Sequence, residues 1–165
     1  MSFELLKSIE NRLKTGLAQT KYPVPKTDPV EYRTPVFVLG DFPPKHKDGF
    51  PFILNRLIGL DDTSEEILIS VKTIVGIYTL GDPAHGEEEI FNLVSRIRRL
   101  FLEHPILDQR FELVLPLKSK FGNGDDDDRQ PHPFYGGYIW SQWRIPAIQP
   151  LLSVEEETRI YGSGL

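Results

Sequence analysis

Apolar and polar positions divide the chain into segments of two different periods. Near the N-terminus Leu6, Ile9, Leu13 and Leu17 recur at spacings of three and four, with Glu10, Arg12 and Lys14 elsewhere, which predicts a helix over 2–15. Ser2 can cap its first turn, and Gly16 marks where it begins to unwind. The strongest helical pattern runs from Gly86 to Glu103, where Ile90, Val94, Ile97 and Phe101 form a stripe broadened by Leu93 and Leu100. Glu87, Glu88 and Glu89 occupy its beginning and Arg96, Arg98 and Arg99 its later half, an order that suits the helix dipole. Pro105 is its stop signal.

Between and after these helices the period shortens to two. The clearest strand is Ile67 to Leu80, with Ile67, Ile69, Val71, Thr73, Val75, Ile77 and Thr79 on one side and a mixed set from Leu68 to Leu80 on the other. The mixed side suits partial solvation or contact with another subunit. At about 3.3 Å per residue the run is long for a small domain, which predicts a bend near Gly76 or an extension beyond the sheet. Val36 to Leu39 reads as a short strand, and Phe111 to Leu117 as another with Phe111, Leu113, Leu115 and Leu117 buried. Pro116 places that strand at an edge, an end or a bulge. Tyr135 to Ile145 is the last strand, with Ile139, Ser141, Trp143 and Ile145 on one side and Tyr138, Trp140, Gln142 and Arg144 on the other. Phe50 to Leu60 alternates at first and then takes a helical spacing, so most of it is read as irregular. The order predicts an α+β fold, a mostly antiparallel sheet with amphipathic helices packed on one face.

Composition narrows the class without naming a function. The 165 residues fit one domain, read as 1–150, followed by a C-terminal tail over 151–165, flexible or ordered by a partner, that includes Glu155, Glu156 and Glu157. There are 14 prolines, clustered over 23–51 and 131–150, where they make a continuous helix untenable. The absence of cysteine removes disulfides, thiolate metal sites and cysteine nucleophiles together. A formal charge of -5 disfavours wrapping nucleic acid by phosphate neutralisation. Glu4, Lys7, Glu10 and Arg12 interrupt the N-terminal apolar residues, so no secretory signal is expected there, and no apolar run approaches the roughly 20 residues of a membrane span.

Candidate chemistry is sparse. Asp125, Asp126, Asp127 and Asp128 could attract a hard cation, but they lack the ligand spacing of a calcium loop, and adjacent like charges favour an open, solvated or assembly-dependent loop. His46, His85, His104 and His132 show no zinc spacing. An acid–base set of Asp82, His85 and Glu87 competes with the simpler role of Asp82 and Pro83 in starting a helix. Gly122, Gly124, Gly136 and Gly137 suit turns or close packing, since no phosphate-loop ending follows them. Tyr135, Tyr138, Trp140 and Trp143 could stack on bases, but their strand context favours core or protein-interface use. No catalytic, cofactor-binding or metal-binding residue is assigned. The expectation is a protein that acts by assembly and not as an enzyme, with a small metal-assisted hydrolase built on Asp125 to Asp128 and a histidine as the contrary reading.

The run ILISVKTIVGIYTLGDPAHGEEEIFNLVSRIRRLF, from Ile67 to Phe101, followed by FELVLPL and GGYIWSQWRIP, resembles the tail terminator, or tail completion, proteins of long-tailed bacteriophages. With the amphipathic N-terminal helix the resemblance covers most of 1–150, in pattern and arrangement only. It implies a homo-oligomer, commonly a hexameric ring, that caps the tail tube, stops its polymerisation and provides the head-joining surface. The implied partners are the tail-tube protein and the head-side connector. The implied location is the virion tail, assembled in the bacterial host cytoplasm, with no membrane partner. Another head–tail joining or minor tail component is the neighbouring alternative. An acidic loop facing a DNA channel would repel phosphates during passage, a non-sequence-specific proximity and not a binding site. If Asp125 to Asp128 line such a channel, replacing all four by Asn leaves the ring intact and alters DNA passage or release; unchanged passage in a DNA-ejection assay removes that role.

Overall fold

The computed structural model describes residues 2–38, 49–122 and 128–146. In chain order the elements are α1 (Ser2–Gly16), β1 (Tyr22–Pro23), β2 (Tyr32–Arg33), β3 (Val36–Phe37), β4 (Phe52–Asp62), β5 (Glu66–Tyr78), α2 (Pro83–Glu103), β6 (Ile106–Leu107), β7 (Phe111–Phe121) and β8 (Phe134–Pro146). Strands β3-β4-β5-β8-β7-β6 form one six-stranded sheet, while β1 and β2 form a separate small pair. Only β3 and β4 run parallel; the other neighbours in the large sheet are antiparallel. The expected α+β fold, with a mostly antiparallel sheet and helices against it, is the observed one.

The sheet is organised by β5. Each of its residues from Glu66 to Tyr78 has a partner on β8, and those from Ile67 to Gly76 are also matched to β4. The strand therefore stays within the sheet, with its pairing continuous through Gly76. That glycine instead makes room for two rings, because a Cβ there would lie 2.3 Å from Phe52 and 2.7 Å from Phe50. Phe50 to Leu60, expected to be mostly irregular, is largely strand: β4 keeps its alternation through a bulge between Leu57 and Gly59, which offsets the later apolar residues by one and imitates a helical spacing. In β7 the expected side holds for Phe111 and Leu113, which are buried, but Leu115 is 64% exposed. Val114 pairs with Gln142 and Lys118 with Trp140, so β7 takes two extra residues around Pro116, whose missing N–H cannot join the ladder.

Both helices cover one face. The core joins Leu5, Ile9 and Leu13 of α1 and Ile90, Leu93, Val94, Ile97 and Phe101 of α2 to the inward residues of β5, β7 and β8. Leu5 rather than Leu6 completes the α1 stripe, and Leu6 packs at its margin. Trp143 is fully buried, edge-on to Phe101 at 5.5 Å, and its indole N–H donates to Ser141 Oγ at 2.9 Å. Gly86 allows α2 to approach the sheet, since a Cβ would lie 2.3 Å from the Tyr135 ring. The helices also touch each other: Gly16 lies against Leu100, and Arg96 Nη2 donates to the Gly16 carbonyl at 3.1 Å, satisfying an otherwise orphaned helix-end acceptor.

Helix α2 begins earlier than its stripe suggested. Asp82 is its N-cap, accepting the His85 N–H at 2.9 Å, with Pro83 in the first turn. Glu87 to Glu89 consequently fall beyond the first turn, and no basic residue lies in the last. Because the dipole effect fades within a terminal turn, the cap and not the charge order explains this helix's start. At the opposite end of the sheet, Asp108 and Gln109 have φ of 51° and 55°, and Arg110 N–H donates to the Leu107 carbonyl at 3.0 Å, closing the tight β6–β7 hairpin. Ser8 and Glu4 of α1 hydrogen-bond to Asp108 and Arg110, docking the helix on that turn.

Tyr22, in β1, is buried among the helices and sheet, and burial, with the nearby Glu89 carboxylate, pushes its phenol up to about 12. An unfolded tyrosine titrates near 10. The folded protein therefore holds this proton over a range where the unfolded chain has lost it. The stabilisation is full below pH 10 and is lost as pH rises toward 12, on the order of 3 kcal/mol in all. Denaturant unfolding of the wild type and Tyr22→Phe across this window should give a difference that shrinks by roughly that amount in the expected direction; a pH-independent difference contradicts it.

Candidate assembly surface

Strand alternation puts a second set of side chains on the sheet face opposite the helices, where no described helix packs. Cross-strand pairing aligns Arg56, Lys72, Trp140 and Lys118 as one continuous row across β4, β5, β8 and β7. The neighbouring row is Leu54, Ile74, Tyr138 and Lys120. Like charges directly opposite each other, as Arg56 and Lys72 are, weaken a sheet unless something else compensates. Part of the compensation is local: Lys72 lies 4.1 Å from the Tyr138 ring centre and Lys118 lies 5.2 Å from that of Trp140. These ammonium groups sit over the aromatic faces, leaving those faces poorly placed to receive a base.

The band is closed differently at its two ends. Toward the β4–β5 turn, Arg144 donates to Glu66 at 3.2 Å and to Glu112 at 3.1 Å. Hydrogen bonds to Glu66 and then Glu112 strengthen its hold on its proton. At the other end Phe50, Phe52, Tyr78 and Phe134 form a cluster with neighbouring ring centres 4.9 to 5.3 Å apart. Phe52 is only 2% exposed, so that end is packed as a small core of its own.

The residues singled out from the sequence separate rather than converge. Of the four aromatics, Tyr135 and Trp143 point into the main core while Tyr138 and Trp140 lie on the open face. Burial raises the Tyr135 phenol, which donates to the Pro83 carbonyl at 3.4 Å and lies 2.8 Å from His132 Nδ1. Asp82 is occupied as a cap, and His85 Nε2 faces Glu89 at 3.4 Å, so Asp82, His85 and Glu87 do not form an acid–base set. His104 caps the C-terminus of α2 through its backbone. Gly122 has φ 126° and donates to the Gly136 carbonyl, and a Cβ on Gly137 would lie 2.8 Å from the Lys120 carbonyl, so these glycines serve a turn and close strand approach. His46, Gly124, Asp125 to Asp127 and the tail over 151–165 lie outside the described residues; Asp128 is exposed. Among the described residues no group of three or more histidine or carboxylate side chains gathers where a metal could be held.

The cationic row was not identified from the sequence. Arg56, Lys72 and Lys118 are far apart along the chain, and only the register of four strands aligns them. The available signal was the alternation of Phe52, Leu54 and Arg56, which by itself gives a strand but no neighbours. No protein-family model matches the chain, and no curated protein matches its sequence.

The two regions of this face should respond differently to truncation. Phe52→Ala should cost about 3–5 kcal/mol of unfolding free energy by emptying a packed site. Lys72→Ala and Lys118→Ala should each cost no more than about 1 kcal/mol, the scale of an exposed cation–π contact. Equilibrium denaturation measures both; a large loss from either lysine variant would make the row part of the fold's own support.

Proposed function

We propose that the chain is a structural phage protein that assembles into a ring, caps the tail tube, stops its polymerisation and provides the surface joined by the head-side connector. The observation that carries this reading is the one-sided coverage of the sheet: helices close one face, and the other presents Arg56, Lys72, Tyr138, Trp140 and Lys118 on a rigid support. A surface of that kind, part apolar and part charged, suits a protein interface. The resemblance of the Ile67 to Phe101 run and the two strands after it to tail terminator proteins supports a place at the tail end.

In this reading the copies form a ring, commonly of six, in which each subunit presents one patch to a different patch on the next, so that closure limits growth. Its partners are the tail-tube protein and the connector, its place is the virion tail, and it carries out no reaction. Electron microscopy of tails assembled with and without the protein tests the role. Overlong or head-incompetent tails in its absence are the expected result. Normally terminated, head-competent tails reject it, whereas normal tube length with failed head attachment selects a different joining component.

A further inference from the structure

Among the described residues the sheet has an edge left without a neighbouring strand, and that edge is complementary to itself. Strand β3 covers β4 only at Phe52 and Ile53, with Val38 adding one bond to the Ile53 carbonyl. From Asn55 to Asp62, β4 has β5 on one side and, among the described residues, no strand on the other. Ile58 and Leu60 are 45% and 52% exposed along this edge. It contains no proline and no lysine, two residues that commonly blunt exposed edges.

We infer that this edge pairs antiparallel with the same edge of a second copy, about a two-fold axis between Ile58 and Gly59, to form a sheet continuous across a dimer. The bulge is what makes the register possible. Leu57 is matched to Val71 and Leu60 to Ile69, both on the helix-covered face, while Arg56 and Asp61 are matched to Lys72 and Leu68 on the open face. With the alternation shifted by one residue at the bulge, Arg56 opposes the second copy's Asp61 on the open face, and Leu57 opposes Leu60 on the other. Asn55, whose Oδ1 already accepts from Thr73, opposes Asp62 on that same helix-covered face. Each of these pairs occurs twice, joining opposite charges, apolar side chains, or an amide and a carboxylate, and Ile58 meets Gly59 at the axis. Registers centred on Arg56 or on Asp61 would place like charges together, at a cost to pairing.

A two-fold contact closes at two copies. It is therefore separate from the contact that would build a polar ring, and the inference does not depend on the proposed function. It describes the protein away from a tube, and it leaves the sheet face opposite the helices outside the contact.

Sedimentation velocity over a concentration series, with far-UV circular dichroism as the check on folding, provides the test. The wild type should form a reversible dimer. Arg56→Asp alone and Asp61→Arg alone should each weaken dimerisation about tenfold or more, because each substitution creates two like-charge pairs. Both groups are exposed, so each variant should remain folded. The double variant carrying both changes in one chain should recover the dimer, an outcome specific to a self-complementary register. A wild type that remains monomeric overturns the inference, and fast hydrogen exchange at the outward-facing β4 amides would then leave the edge to a strand of another protein. Larger assemblies whose mass is indifferent to Arg56 and Asp61 overturn it too, as does failure of the double variant to recover. Loss of the tail role in electron microscopy would leave the dimer standing.

Discussion

Strand β5 is laddered to β8 over its whole length and to β4 over most of it, and both helices depend on the surface this creates. Ile69, Val71, Val75 and Ile77 form an apolar strip along the middle of the sheet, extended sideways by Ile53, Ile139 and Trp143. Helices in proteins draw most of their stability from packing an amphipathic face, so α1 and α2 depend on burying their stripes against that strip. The ladder and the core are one interaction in practical terms: without the register, the β-branched row would not present a single face.

One-sided coverage follows from the same register. The two helices meet through Gly16, Leu100 and Arg96 and are fastened to the sheet through Gly86 and the Asp108–Arg110 turn. Their partners are therefore used on one side of the sheet, and the alternate residues of each strand face away. What they form is not a uniform solvated surface. An aromatic cluster packs one end, an arginine shared by two glutamates closes the other, and cations over aromatic rings lie between. This gradation separates residues that hold the sheet together from those available to a partner.

Much of the fold was legible locally. The α2 stripe, the alternation of β5 and the two sides of β8 each repeat within one segment, so their apolar residues could be assigned without knowing their neighbours. The departures occurred where pairing changed the count. Leu115 shares its parity with Leu113 yet is exposed, because two extra residues at Pro116 rotate it out of the core. Leu57 and Leu60 have a helical spacing yet share a strand face, because a bulge lies between them. The early start of α2 was hidden for another reason: Asp82 and Pro83 set it, and neither belongs to the apolar stripe.

The candidate surface was legible only in part. Tyr138, Trp140, Gln142 and Arg144 could be placed on one side of a strand from their spacing, but spacing could not bring Lys72 over Tyr138 or Lys118 over Trp140. By itself the sequence determined which stretches become amphipathic, because periods of two and of three to four are properties of a single backbone segment. The tertiary structure decided which charges share a row and, among the described residues, which strand is left with an open edge and which sheet face the helices leave uncovered. Those properties arise from register between segments distant in the chain, and one residue of slip or bulge reverses them.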